Sequence, residues 1–283
     1  MKLSCTSVML PRWTLDETFD KLAAYGYDGV ELRCRYNPEG DAEPAFWGYH
    51  CSDVSPDNVV EKAAQIRAAA ARSGVRVVAL APSCLLSETE LVHKLFKGAV
   101  AIDPERPPMV RIGAPKYEHK RPYISQFLEA RAGFANLVEV ARSYGVKILY
   151  EIHVGTVALT ASRATELLRD LDPAHIGAIY DVPNMVRVGL EDTRMGLELL
   201  GPYLAHCHIG NGILVVDGQD RTGAQQWKWE FCDLRTGVAA IAQIVQDLKD
   251  VGYDGCLSLE EFSSDPDDEK LKKEGEYLRQ LIG

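Results

Sequence analysis

Short runs of apolar residues alternate along this chain with longer segments in which apolar residues recur at helical spacing. Eight runs are nearly continuous in Val, Ile, Leu and Ala, a pattern typical of parallel strands covered by helices. The predicted strands are 2–7, 30–33, 75–81, 109–112, 147–151, 176–181, 204–208 and 255–260. The predicted helices are 15–25, 55–72, 88–101, 124–144, 161–170, 192–200, 238–250 and 267–281.

Local signals at the helix ends support this alternation. Thr14 and Glu17 fit a capping box that opens the first helix, and single glycines separate four helices from the strands that follow. Eight strand–helix units without a linker predict a single (β/α)₈ TIM barrel over residues 1–283, since such barrels take about 250 residues. A doubly wound open sheet is the alternative, but no G-x-G-x-x-G motif follows the first strand.

Two long segments without an obvious helix or strand pattern interrupt the alternation, at 34–54 and 209–236. We predict that both are loops. They carry Trp47, Tyr49, His50, Trp227 and Trp229. Aromatic side chains on two long loops at one end of a barrel suggest a wall or lid over the barrel mouth, or a contact between copies in a homo-oligomer.

Composition narrows the class of partner. The formal net charge is −10, which disfavours binding to the phosphate backbone of nucleic acid. No apolar run approaches the roughly 20 residues of a membrane-spanning helix, and the first residues do not resemble a signal peptide. The seven cysteines are dispersed, as is typical of reduced thiols. We therefore expect a cytoplasmic protein with a small-molecule substrate.

Four consecutive predicted strands end on residues that can bind a metal ion. Because the carboxyl ends of parallel strands meet on one face of a barrel, these side chains should converge there. The residues are Glu151, Asp181, His208 and Glu260. Carboxylate and imidazole ligands suit one divalent ion, with Mn²⁺ the first choice and Mg²⁺, Co²⁺ or Zn²⁺ as alternatives.

The segment from Gly145 to Phe262 also resembles a known family. Glu151, the run Asp181-Val182-Pro183-Asn184, the run His206-Cys207-His208 and the run Gly252–Glu260 match, in order, motifs of the sugar phosphate isomerase/epimerase family of xylose-isomerase-like TIM barrels. Its members include ketose 3-epimerases, hydroxypyruvate isomerase and inosose dehydratase. The resemblance implies that Glu151 and Glu260 serve both as metal ligands and as the catalytic acid/base pair.

Residues beside the predicted ligands are candidates for further roles. His153, Asn184 and Asn211 are predicted to bind substrate, and Glu261 should point away from Glu260 because adjacent strand residues face opposite sides. His206 is expected to be a hydrogen-bonded residue of the barrel interior. Arg111 and Glu31 are candidates for that interior too, where mutual pairing is the alternative to a functional role.

The predicted function is a divalent-metal-dependent isomerase or epimerase that acts on a small sugar, sugar phosphate or polyol ketone through an enediolate. A metal-dependent dehydratase of the inosose or dehydroshikimate type is the alternative, because the same ligands serve either outcome. A phosphodiesterase of the endonuclease IV type is disfavoured, since Asn184 stands where that branch has a histidine ligand. A non-catalytic binding barrel is the third class.

Overall fold

Eight parallel strands close into a barrel in a computed structural model that describes residues 1–40, 42–189 and 191–283. The predicted (β/α)₈ TIM barrel is confirmed. Around the barrel the strand order is β1, β2, β3, β4, β5, β6, β7 and β10. These strands are β1 (Lys2–Thr6), β2 (Gly29–Arg33), β3 (Arg76–Ala81), β4 (Met109–Ile112), β5 (Ile148–Glu151), β6 (Ile176–Asp181), β7 (Leu204–Ile209) and β10 (Cys256–Leu259).

Helices surround the barrel and bury their apolar stripes against the outward faces of the strands. The predicted capping box forms at Thr14 and Glu17, and Gly145 ends α4 in the left-handed conformation. The helices are α1 (Leu15–Ala24), α2 (Val59–Ser73), α3 (Thr89–Ile102), α4 (Tyr123–Tyr144), α5 (Ala161–Leu168), α6 (Val182–Val188), α7 (Thr193–Leu200), α8 (Ile241–Asp250) and α9 (Asp267–Ile282). No helix of the described residues is long and apolar enough to cross a membrane.

The prediction of a loop at 209–236 is wrong over most of its length. The segment forms an antiparallel hairpin outside the barrel, made of β8 (Asn211–Gln219) and β9 (Gln225–Cys232). Cross-strand pairs such as Leu214–Trp229 and Val216–Trp227 join bulky side chains directly opposite each other, which stabilises a hairpin. The short helix α6 was also not predicted. Asp181 caps its first turn by accepting a hydrogen bond from the backbone N–H of Asn184.

The segment 34–54 and the hairpin meet above the barrel mouth at Phe262. The ring of Trp47 lies 4.7 Å from the ring of Phe262, and the ring of Phe231 lies 5.2 Å from it on an edge-to-face contact. Such contacts bury the aromatic faces and stabilise the arrangement. Both long segments therefore contribute an aromatic wall at the carboxyl ends of the strands.

Candidate metal centre

The four predicted ligands converge on one point at the carboxyl ends of β5, β6, β7 and β10. One oxygen or nitrogen atom from each of the four side chains lies within 4.8 Å of the others. The Nδ1 atom of His208 is at the centre: it lies 3.1 Å from Asp181 Oδ2, 3.3 Å from Glu260 Oε1 and 3.4 Å from Glu151 Oε1. The structure therefore contains a possible metal site built from three carboxylates and one imidazole.

Strand register explains why these residues meet. His208 is paired with Asp181 across β6 and β7, and with Ser258 across β7 and β10, so the three strand ends are level. Gly210 lets the end of β7 approach β10 closely. A Cβ atom at Gly210 would lie 2.3 Å from the carbonyl oxygen of Glu260, a distance that no side chain tolerates. Because glycine has no side chain, it allows the backbone of Glu260 to lie close to the end of β7 and so beside the cluster.

Glu31 of β2 holds the other side of the His208 ring. Its Oε2 atom lies 2.8 Å from His208 Nε2 and 3.3 Å from His206 Nε2, and all three side chains are buried. His206 is thus the interior hydrogen-bonded residue expected from the sequence. Glu31, His206 and His208 are also close enough to form a second ligand group. We assign the shorter Glu31 contact to a hydrogen bond, because metal-binding histidines commonly donate their second ring N–H to a carboxylate.

Arg111 does not pair with Glu31, although the sequence made that pairing an option. Its Nη1 atom donates instead to Glu151 Oε1 at 3.0 Å, and its Nη2 atom donates to the Pro82 carbonyl at 3.3 Å. The guanidinium of Arg111 therefore orients one of the four candidate ligands.

The environment shifts the pKa values of the cluster in opposite directions. Burial raises the pKa of Glu260 to about 8, and the charges of Asp181 and Glu151 add to this rise. Burial also opposes ionisation of Glu151, but the charge of Arg111 and the charge and hydrogen bond of His208 together outweigh it and lower the pKa of Glu151. Burial disfavours the charged form of His208, yet the surrounding carboxylates raise its pKa well above the usual value. Without a metal ion, the cluster therefore holds protons in its place.

A cavity of about 290 Å³ opens onto this cluster. Three of the four ligands line it, together with arginine, histidine, asparagine and aromatic side chains. The lining residues are Arg35, Trp47, Arg111, Glu151, His153, Asp181, Pro183, Asn184, Arg187, Phe231, Glu260 and Phe262. Its size and its few polar groups suit a small molecule.

The structure brings two of the three predicted substrate-binding residues to this cavity and places the third elsewhere. His153 and Asn184 line the cavity. Asn211 is fully buried at the base of the hairpin, where it donates to the carbonyls of Leu234 and Ala239 and accepts from two backbone N–H groups. Its polar atoms are thus committed to joining the hairpin to the segment before α8. The structure thus gives Asn211 a structural role and places it outside the lining of the cavity, unlike His153 and Asn184.

Glu261 points away from the cluster, as alternation along a strand predicts. Its carboxylate accepts hydrogen bonds from the backbone N–H and the hydroxyl of Ser263. Five residues that line the cavity were not predicted to do so: Arg35, Pro183, Arg187, Phe231 and Phe262. Arg35 lies two positions beyond the last residue of β2. That position places it at the carboxyl end of the barrel, and this was the sequence signal that could have identified it. Phe231 was not found because its place on a hairpin strand was not recognised.

The residues present fit a divalent metal ion. Three carboxylates and an imidazole nitrogen form a donor set that such ions accept, and the imidazole has a carboxylate partner on its far side. The cluster lies at the wall of a cavity, which leaves room for ligands from a substrate.

Comparisons with known proteins agree with this fold. The family model described as "Xylose isomerase-like TIM barrel" matches residues 19–281. The uncharacterized protein MJ1311 of Methanocaldococcus jannaschii is 26% identical over 277 residues, which are 92% of this chain and 83% of that protein.

Two solved structures show the same architecture at low sequence identity. One is the probable 3-DHS dehydratase AsbF involved in petrobactin synthesis from Bacillus anthracis, with a TM-score of 0.74, 17% identity and 99% of both chains covered. The other is 3-keto-D-glucoside 4-epimerase, YcjR, from E. coli in its apo form. It has a TM-score of 0.70 and 15% identity, with 99% of this chain and 98% of that chain covered.

Proposed function

Because this chain belongs to the xylose isomerase-like TIM barrel family, we propose that it is a divalent-metal-dependent isomerase or epimerase of a small polyhydroxy carbonyl compound. The observation that carries the proposal is the convergence of Glu151, Asp181, His208 and Glu260 at the wall of a small cavity. The similar epimerase and dehydratase structures support it at the level of the fold.

Glu151 and Glu260 are the proposed acid/base pair. They reach the cavity from β5 and β10, which are separated around the barrel by β6 and β7, so the two carboxylates approach a bound substrate from different sides. One removes a proton from the carbon beside the carbonyl, and the other returns a proton. Return to the opposite face of that carbon gives epimerisation, whereas return to the neighbouring carbon gives isomerisation.

Other residues of the chain prepare this proton transfer. Arg111 fixes the direction of Glu151, and Glu31 fixes the ring of His208. Trp47, Phe231 and Phe262 give the cavity an apolar aromatic wall, next to which electrostatic interactions with a bound substrate are stronger than in water. Glu151, Asp181, His208 and Glu260 would hold a divalent ion, which would supply Lewis-acid stabilisation of negative charge on a substrate carbonyl group.

His153 and Asn184 are proposed to contact substrate hydroxyl groups. Asn184 is held in place by its backbone bond to Asp181, and its side-chain oxygen accepts from the backbone N–H of Val154 at 3.2 Å. Its amide NH₂ group remains available as a donor on the cavity wall.

The test is incubation of the Mn²⁺-loaded protein with ketoses, inososes and keto acids in D₂O, read by proton NMR. We expect wash-in of deuterium at the carbon beside the carbonyl, with conversion to an isomer or epimer. An unsaturated product would assign the chain to the dehydratases, which use the same proton abstraction followed by loss of a hydroxyl group. Conversion with complete retention of the substrate proton would contradict the acid/base roles of Glu151 and Glu260.

A further inference from the structure

Two guanidinium groups lie side by side at the end of β3, next to the metal centre. Arg35 Nε donates to the Ala81 carbonyl at 3.1 Å, and Arg111 Nη2 donates to the adjacent Pro82 carbonyl at 3.3 Å. Both side chains line the cavity. Successive carbonyl groups of one strand end therefore hold two like charges together at the cavity wall.

The two arginines differ in their partners. Arg111 is paired with Glu151, whereas no described acidic side chain lies within ion-pair distance of Arg35. Burial, together with the charges of Arg111 and Arg33, lowers the pKa of Arg35 to about 10, although the more distant charges of Glu151 and Glu31 oppose this shift. An arginine with two cationic neighbours and no carboxylate partner is destabilised relative to one that is paired.

The surrounding segment keeps Arg35 in this position. The guanidinium of the buried Arg33 donates to the carbonyls of Arg35 and Gly48, at 3.2 and 2.8 Å. Trp47, which stands next to Gly48, presents its ring 5.6 Å from the Arg35 guanidinium. Arg33 thus joins the backbone at Arg35 to the backbone at Gly48. The ring of Trp47 and these hydrogen bonds keep the guanidinium of Arg35 at the cavity wall.

The position of Arg35 relative to the candidate ligands determines which part of a bound substrate it can contact. The ligands come from β5, β6, β7 and β10, whereas Arg35 follows β2 on the other half of the barrel mouth. A substrate with its carbonyl group at the ligands therefore extends across the cavity towards Arg35.

We propose that Arg35, assisted by Arg111, forms an anion subsite, and that the substrate carries a carboxylate or phosphate group beyond its carbonyl. This inference rests on the proposed function and specifies its substrate class. A guanidinium binds either anion through charge-assisted hydrogen bonds, which are stronger than hydrogen bonds between neutral groups. A neutral polyol cannot form them. Neutral ketoses are then poor ligands, even though they satisfy the metal centre.

The experiment is calorimetric titration of the Mn²⁺-loaded full chain with three probes that share one hydroxyketone unit. Dihydroxyacetone is neutral, dihydroxyacetone phosphate carries a phosphate, and hydroxypyruvate carries a carboxylate. We expect at least one anionic probe to bind about tenfold more tightly than the neutral probe, or better. The stronger of the two anionic probes identifies the group that the subsite accepts.

Variants locate this preference. Arg35→Gln should remove it while leaving the affinity for dihydroxyacetone unchanged. Arg169→Gln is the matched control, because it removes an exposed arginine at the end of α5, outside the cavity, and should keep the preference. Arg35→Lys should retain part of it, since the charge stays and the paired donors are lost. Equal affinity for all three probes in the wild-type chain overturns the proposal, as does a preference that survives in Arg35→Gln.

Two further measurements keep the result interpretable. The first is the metal content of the same samples. A chain that binds no Mn²⁺ counts against the proposed function. In that case the anion preference is compared between the metal-free wild type and metal-free Arg35→Gln. If Arg35→Gln does not fold, the proposal is tested instead by the anion preference of Arg35→Lys and by the salt dependence of the preference in the wild type. Loss of the preference at high salt supports the subsite, and a salt-independent preference overturns it.

Discussion

The Oε2 atom of Glu31 lies 2.8 Å from the Nε2 atom of His208, while the Nδ1 atom of the same ring faces Asp181, Glu151 and Glu260. Burial alone would raise the pKa of Glu31, but the charge of His208 and hydrogen bonds from both histidines hold it well below its usual range. Glu31 thus stays ionised and places the ring proton on Nε2. The lone pair of Nδ1 is then directed at the metal site.

This relationship predicts the effect of Glu31→Gln on metal binding. A neutral amide holds the Nε2–H of His208 less strongly and makes the ring a weaker ligand. We expect about 10- to 100-fold lower affinity for Mn²⁺, measured by competition with a chromophoric chelator. Glu261→Gln, which also changes a buried glutamate, is the control and should bind Mn²⁺ as the wild type does. Unchanged affinity in folded Glu31→Gln would contradict the assigned role.

The two adjacent glutamates at the end of β10 should differ in their effect on turnover. Glu260→Gln removes a proposed metal ligand and proton-transfer group, so we expect it to abolish deuterium exchange into the substrate. Glu261→Gln alters contacts with Ser263 that lie away from the cluster, and should largely keep the exchange. Proton NMR on both variants provides the measurement, with circular dichroism to establish that each is folded. Similar losses in both would show that the assignment of sides is wrong.

Metal affinity should rise with pH. The pKa of His208 is raised well above its usual value and that of Glu260 is raised to about 8, so both groups hold protons at neutral pH in the metal-free chain. Binding of the ion must displace these protons, and lower proton concentration therefore favours it. Calorimetry in buffers with different ionisation enthalpies should detect proton release at pH 7. An affinity for Mn²⁺ that does not change between neutral and alkaline pH would contradict this prediction.

A buried carboxylate far along the chain should make stability depend on pH. Glu274 in α9 is fully buried, neither oxygen has a hydrogen-bond partner among the described residues, and the guanidinium of Arg235 lies 3.9 Å from its carboxylate. Burial raises its pKa to about 7, and the charge of Asp233 adds to the rise. The folded chain therefore binds more protons than the unfolded chain, and stability is lost as pH rises to about 7.

Glu274→Gln removes this penalty. We expect it to raise the free energy of unfolding by about 1–2 kcal/mol at pH 8. The gain should be smaller at pH 4.5, because more of the wild-type carboxyl is then protonated in the folded and unfolded chains. Thermal or urea unfolding at the two pH values measures the difference. Glu276→Gln on the exposed side of α9 is the control. A gain that is equal at both pH values would show that titration of Glu274 is not its cause.

The sequence predicted the barrel and the four side chains that converge at its mouth, because both depend on local order. Apolar runs place the strands, and the residue that ends each run falls at the same face in any parallel barrel. Glu151, Asp181, His208 and Glu260 could therefore be selected from chain position alone. Glu261 could be set aside for the same reason, because side chains alternate along a strand.

Contacts between distant segments were not accessible in this way. The partner of Glu31 depends on how β2 and β7 face each other across the barrel interior, and the sequence left its pairing with Arg111 open. Asn211 was assigned to substrate because it follows His208 closely, but it starts a hairpin whose base uses all its hydrogen bonds. The hairpin was missed because its aromatic pairs become apparent only when the two strands are aligned.

Closure of the barrel has a consequence for the order of folding. The seam joins β1 to β10, and Ser4 donates across it to the carbonyl of Leu257, 253 positions later in the chain. Glu260 follows directly on β10, which closes the barrel by pairing with β1 on one edge and with β7 on the other, so the fourth candidate ligand is in place only once this last strand has docked. Contacts of such long sequence separation form late. The uptake of metal should thus be a kinetic reporter of the final step of folding, and an ion once bound should slow the reopening of the seam.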